Sequence, residues 1–428
     1  MKISKLLSMT GLAAVLGLGL VATNPASAAK INSVDVVKTY ADIAHAMYSD
    51  ALLTAEDLST AVSRLLASPT DAHLKAARDA WISARAPYQQ TEGVRFGNPV
   101  VDAWEGQVNS WPLDEGLIDY VDPSYGTSSD ANPAYTLNVI ANRKIRIGPK
   151  VIDATHITKE LLSGALHEAQ EVEANVATGY HAIEFLLWGQ DLNGTDAGAG
   201  NRPATDFDMQ NCTGGNCDRR GAFLAAATDL LVDDLKEIVA AWAPGGEARQ
   251  DIMAENAKKA YSRIMTGLGS LSYGELAGER LKLGLILHDP EEEHDCFSDN
   301  THNSHYNDQV GMISLFNGYY RRVDGSVVSG ASLADVAASV APARKSELDK
   351  SLSHTLAKMQ VMKDMADSGE MAYDQMIGED NQVGNKIIQD VVDGLVRQTR
   401  SMEKLVTALE LNINVEGSDS LDNPNSVK

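Results

Sequence analysis

Apolar residues recur at three- and four-residue intervals over most of the chain. From Val34 to Leu66 they mark one face of a long amphipathic helix that Pro69 stops. Asp71 then caps a second helix running through Trp81 to about Glu92. Leu224, Leu231, Leu235, Ile238 and Trp242 form another stripe, ended by Pro244-Gly245-Gly246. Ile388, Val391, Val392, Leu395, Met402, Leu405 and Leu409 form one more near the C-terminus. Such stripes bury themselves against other helices, and no stretch sustains period-two alternation. The pattern therefore predicts an all-α fold of helical bundles. The break at Ala243–Gly246 predicts two bundles, residues 29–243 and 244–415, each with room for about four helices, and polar residues 416–428 read as a frayed tail.

Three segments read as long loops: Phe96 to about Asn132, Gly189 to Arg220, and Asp289 to Asn307. Compact domains seldom keep long loops without a use, so function is expected there.

The N-terminus has its own logic. Lys2 and Lys5 precede the apolar run Leu12 to Ala22, and Ala26-Ser27-Ala28 is a small-residue cleavage site, so residues 1–28 read as a secretory signal peptide. Its removal takes the formal charge from -23 to -25. A surface that acidic repels phosphate backbones and disfavours nucleic-acid binding. No later stretch reaches about 18 apolar residues, so no transmembrane span is expected in the mature chain. No lipobox cysteine lies near the cleavage point. Export agrees with Cys212 and Cys217, which flank a flexible Thr-Gly-Gly-Asn turn and predict a local disulfide. A zinc knuckle would need a second ligand pair, and Cys296 is left over.

The sharpest chemical pattern is Gly179-Tyr180-His181-Ala182-Ile183-Glu184. One helical turn puts His181 and Glu184 on a common face. An imidazole and a carboxylate can share a zinc or iron ion, but other segments must complete the site. A His–Glu hydrogen bond in a packing interface meets the same spacing, and the zincin pattern His-Glu-x-x-His is absent. Glu291-Glu292-Glu293-His294-Asp295-Cys296, with Asn300, His302 and His305, is dense in ligand types, though a solvated acidic loop reads alike. Arg85, Tyr88, Gln89, Glu92 and Arg95 form a polar stripe leaving the second helix; a surface ion pair is the simpler account of it.

Together these segments resemble the imelysin family, also called iron-regulated protein A-like proteins. Gly179-x-His181-x-x-Glu184 matches its signature. Trp81-x-x-x-Arg85-x-Pro87-Tyr88-x-Gln90-x-Glu92 with Arg95-Phe96-Gly97, Trp111-Pro112-Leu113-Asp114 with Ile118-Asp119, and Glu293-His294-Asp295-Cys296-Phe297-Ser298-Asp299-Asn300-Thr301-His302 match three more of its motifs. The resemblance implies two helical bundles with a functional cleft between them, and an exported protein of the bacterial periplasm or envelope tied to iron uptake. Some members are classed as metallopeptidases, and many carry a lipobox that this chain lacks.

The expectation is an iron-binding envelope protein with His181, Glu184, Glu92 and His294 as ligands. Arg85, Tyr88, Arg95, Asp295 and His302 are expected to line the cleft, and other envelope iron-uptake proteins are the expected partners. Two alternatives stay open: a zinc-dependent peptidase using His181 and Glu184 with a metal-bound water, or a metal-free module whose acidic loops dock an envelope partner.

Overall fold

A computed structural model of the chain describes residues 31–415; residues 1–30 and 416–428, on which the expected signal peptide and frayed tail fall, lie outside the described residues. The fold is all-α apart from two small antiparallel hairpins, Lys144–Ile147 with Lys150–Asp153 and Tyr319–Arg321 with Val327–Ser329.

Helix α1 spans Ser33–Ala67, with Asn32 as the N-cap whose side chain accepts from the Val34 N–H at 3.1 Å. Its buried residues repeat at the predicted intervals. Helix α2 (Asp71–Gln89) is capped by Thr70 rather than Asp71: the Thr70 hydroxyl accepts from the His73 N–H at 3.2 Å. It ends three residues before Glu92, just after Pro87.

The segment from Phe96 is not all loop, because it contains helix α3 (Pro99–Asn109), started by a proline at its first position. Helix α4 is Gly179–Trp188 and α5 is Cys217–Trp242. The long connection between α4 and α5 is irregular, and the Cys212–Cys217 disulfide closes it at the start of α5.

Beyond the Pro244-Gly245-Gly246 break come α6 (Glu247–Met253) and α7 (Ala257–Ser270), which runs on as a wide π-helical stretch over Leu271–Lys282. Then follow α8 (Thr301–Asn317), α9 (Leu333–Val340), α10 (Pro342–Asp367), α11 (Tyr373–Ile377) and α12 (Gln382–Ala408). The third predicted loop therefore turns helical at Thr301. Helix α1 packs along α2 and α5; α12 packs along α10 and the π stretch. The two groups meet where α8 lies on α2, and α1 also touches α6 and α7. At the α2–α8 contact Gly311 allows close approach, since a Cβ there would fall 2.2 Å from the Gln90 carbonyl oxygen.

Candidate metal centre

Helix α4 is apolar on nearly every side and every one of its residues is buried, as a helix through the middle of a fold should be. Its entry depends on Gly179, whose φ of 76° and closeness to Val108 (a Cβ would sit 2.3 Å from the carbonyl oxygen) leave no room for another residue. The Thr178 hydroxyl donates to the Gln107 carbonyl at 2.8 Å, and the Trp81 indole N–H to that of Tyr180 at 3.0 Å. So fastened, α4 points His181 and Glu184 at the junction of the two helix groups, with His181 Nδ1 3.2 Å from Glu184 Oε2. Glu184 Oε1 accepts from the Ser298 N–H (3.0 Å) and hydroxyl (2.6 Å), which ties α4 to the 293–300 loop.

That loop brings His294 and Asp295. One ligand atom from each of His181, His294 and Asp295 lies within 4.8 Å of the others, and all three residues are buried. The point they share belongs to Arg85 of α2. Its Nη2 is 2.8 Å from Asp295 Oδ1, 3.2 Å from His294 Nδ1 and 3.3 Å from His181 Nε2. Arginine only donates, so both ring nitrogens must present lone pairs to it, which puts the His181 proton on Nδ1, facing Glu184. With the Gln89 amide turned so that its nitrogen donates to Asp308 (2.9 Å), its oxygen is a fourth acceptor 2.8 Å from Nη2. Two N–H protons therefore serve four acceptors. This surplus of converging nitrogen and oxygen lone pairs is the donor set that iron or zinc takes.

The electrostatics follow from burial. Burial holds His181 and His294 well below the usual imidazole range, with Arg85 adding to it at His181 and Arg280 at His294, so both stay neutral. Burial, with repulsion from Asp295, pushes Glu184 well above the carboxylate range. For Asp295, burial opposes ionisation but the Arg85 guanidinium outweighs it and holds the group well below its ordinary value. Asp295 also accepts from Asn300 (2.9 Å) and from the Ser304 hydroxyl.

The structure brings together His181, Glu184, His294, Asp295 and Arg85. Tyr88 supports them, its ring 4.8 Å from that of Tyr180 and its face toward Arg85. Glu92 is buried next door and bonded instead to Arg280 at 3.0 Å. Arg95 pairs with Asp102 and Glu105, both at 3.3 Å, at the mouth of a cleft. His302 bonds to Asp367 at 3.1 Å, away from the converging donors.

Several participants carried no sequence signal of their own: Asn109, which accepts from Arg85 at 2.6 Å; Arg280; and Asp308. His305, noted only as a member of its loop, stacks 6.2 Å from His294 with neither ring nitrogen hydrogen-bonded.

Burial, helped by Arg280, pushes the His305 pKa down to about 3. The unfolded chain protonates this side chain below pH ~6.5, and the folded chain does not. Stability is therefore lost as pH falls from ~6.5, by about 1.4 kcal/mol per unit from this group. His305→Leu should gain about 2 kcal/mol on wild type between pH 7 and pH 5 in urea melts; a pH-independent difference would mean the imidazole is not held neutral.

A cleft of about 310 Å³ leads from the surface to His294 and Arg280, past Asp102, Glu105, Glu168, Glu173 and Glu275. Trp111 forms part of its wall, its ring edge-on to His294 at 5.7 Å and its N–H donating to the Glu293 carbonyl at 3.1 Å. An acid-lined entrance concentrates cations.

Fold and site together define a helical protein with a buried His/His/Asp donor cluster beneath an acidic cleft. The imelysin family model matches residues 44–402, and the chain belongs to that family. The iron-regulated protein A of Synechococcus elongatus is 37% identical over 71 residues, a stretch covering 16% of this chain and only 20% of that protein. The crystal structure of an iron-regulated protein A precursor from Parabacteroides distasonis superposes with a TM-score of 0.62 at 18% identity, over 89% of this chain and 97% of that one, and so shares the fold. Among the described residues no helix is long and apolar enough to cross a membrane.

Proposed function

We propose that this imelysin-family chain is an exported envelope protein that binds iron for uptake, with His181, His294 and Asp295 as ligands and Glu184 orienting His181. The observation that carries this is the convergence of three donors from two distant segments at the foot of an acid-lined cleft. The iron-regulated names of its relatives support the choice of iron. Mixed imidazole and carboxylate donors suit it. An ion and the Arg85 guanidinium cannot share the point where the donors meet, so loading requires Arg85 to leave it, and the empty-handed protein keeps Arg85 as an internal cation. Glu92, bound to Arg280, is then a neighbour that positions charge rather than a ligand.

Titration of the purified chain with ferrous and ferric iron, with elemental analysis of the protein as isolated, tests the proposal. One bound equivalent is expected, with affinity reduced about 100-fold or more in His181→Ala, since even outer partners of a ligand cost 10- to 100-fold. Binding that survives unchanged in His181→Ala overturns it. Chelator-sensitive cleavage of an unfolded polypeptide, abolished in Glu184→Ala, would move the reading to the zinc peptidase.

A further inference from the structure

The loop that presents His294 and Asp295 has a second polar side. Asp191, Asp299 and Asp374 each place a carboxylate oxygen within 4.8 Å of the other two. They come from three separate parts of the chain: the connection after α4, the 293–300 loop and the start of α11. Glu293 joins them. It is 0% exposed, neither of its oxygens has a hydrogen bond of normal geometry, and the charges acting on it most strongly are Asp374 and Asp299. The Thr301 hydroxyl is its remaining polar neighbour. Asp374, 1% exposed, leaves Oδ2 unpartnered, and Asp299 leaves Oδ1 unpartnered. The charges acting most strongly on Glu293, Asp299 and Asp374 are other carboxylates of the group.

Carboxylates crowded into a partly buried site with no cation between them repel, and each unpaired buried oxygen costs desolvation energy. Such a group persists when an ion supplies the missing positive charge. An all-oxygen set excludes the softer metals and suits a hard one. Magnesium keeps most of its waters and takes one or two protein carboxylates, whereas calcium accepts three or four together at irregular angles.

We propose that Asp191, Asp299, Asp374 and Glu293 hold a calcium ion that clamps the 293–300 loop between the α4–α5 connection and α11. The site differs from the His181 centre in donors and in metal class, and the inference does not rest on the iron reading. Its consequence is mechanical. A clamp on Glu293 and Asp299 fixes the loop on both sides of His294 and Asp295, so those side chains are presented at one position.

The test uses the full chain stripped with a chelator, titrated with calcium chloride and separately with magnesium chloride by calorimetry, with thermal melts alongside. One equivalent of calcium and a raised Tm are expected. Asp299→Asn and Asp191→Asn should each weaken calcium binding at least tenfold. Each should also melt higher than wild type in calcium-free buffer, because the substitution relieves the repulsion. His181→Ala should bind calcium as wild type does, which separates this site from the iron centre. Wild type that takes up no calcium and shows no calcium-dependent Tm overturns the proposal, as does undiminished binding in both Asp variants. Asp191 lies half-exposed on a connection, so its variant serves should Asp299→Asn fail to fold.

Discussion

Arg85→Met is expected to lower the stability of the metal-free chain by about 3–5 kcal/mol and to tighten iron binding roughly 10- to 100-fold. The two effects share one cause. The guanidinium is fully buried and is the cation that pairs with Asp295, which keeps only Asn300 and Ser304 once Arg85 is gone. A buried charge stripped of its partner costs several kcal/mol. The same substitution clears the point where His181, His294 and Asp295 converge. In wild type, binding an ion first breaks charge-assisted hydrogen bonds worth about 1.5–3 kcal/mol each, and that cost disappears in the variant. Chemical denaturation with and without iron, plus direct titration, reads both effects. Iron should restore most of the lost stability, because a ligand that binds only the folded state stabilises it by mass action. Unchanged or weaker iron binding in Arg85→Met would mean that Arg85 does not compete with the ion, and the exchange account would fail.

Asp119→Asn should cost a comparable 3–5 kcal/mol while leaving iron affinity intact. Asp119 is buried between two arginines: Oδ2 is 2.6 Å from Arg220 Nε and 2.8 Å from Arg202 Nη1, and Oδ1 is 3.0 Å from Arg220 Nη2. Arg202 keeps Asp206 at 3.0 Å, but Arg220 has no second carboxylate bonded to it and turns to the carbonyls of Asp206, Gly214 and Gly215. Neutralising Asp119 therefore leaves buried positive charge without its counter-ion. Urea melts measure the loss, and iron titration well below the melting temperature checks the site. A loss under about 1 kcal/mol would place this network with screened surface pairs instead. The network also accounts for the Gly189–Arg220 segment. Arg202, Asp206 and Arg220, bonded around Asp119, and the disulfide tie this long connection down.

How much of the site the sequence disclosed depended on the range over which each interaction acts. His181 and Glu184 were legible because one helical turn fixes their relation, and that relation is written in their spacing. The 293–302 motif marked His294 and Asp295 as ligand types but not what they face. Glu92 was assigned to the metal on its motif alone, and its bond to Arg280 spans 188 positions, beyond any local rule. Arg85, expected merely to line the cleft, occupies the centre of the donor cluster.

Local physics, then, settled the elements: apolar periodicity for the long helices and the Thr-Gly-Gly-Asn turn for the disulfide. Propensity erred where a cap or a proline start was misjudged, at Thr70 and at Pro99, and there by a residue or one short helix. Tertiary structure decided which buried charges meet. Folding brings α2, α4, the 293–300 loop and α8 to one junction, and in that low-dielectric setting each ionisable group takes its state from whichever partner lies within a few ångströms. Spacing along the chain carries no information about such partners, so the roles of Arg85, Arg280, His305 and Glu293 appear only in three dimensions.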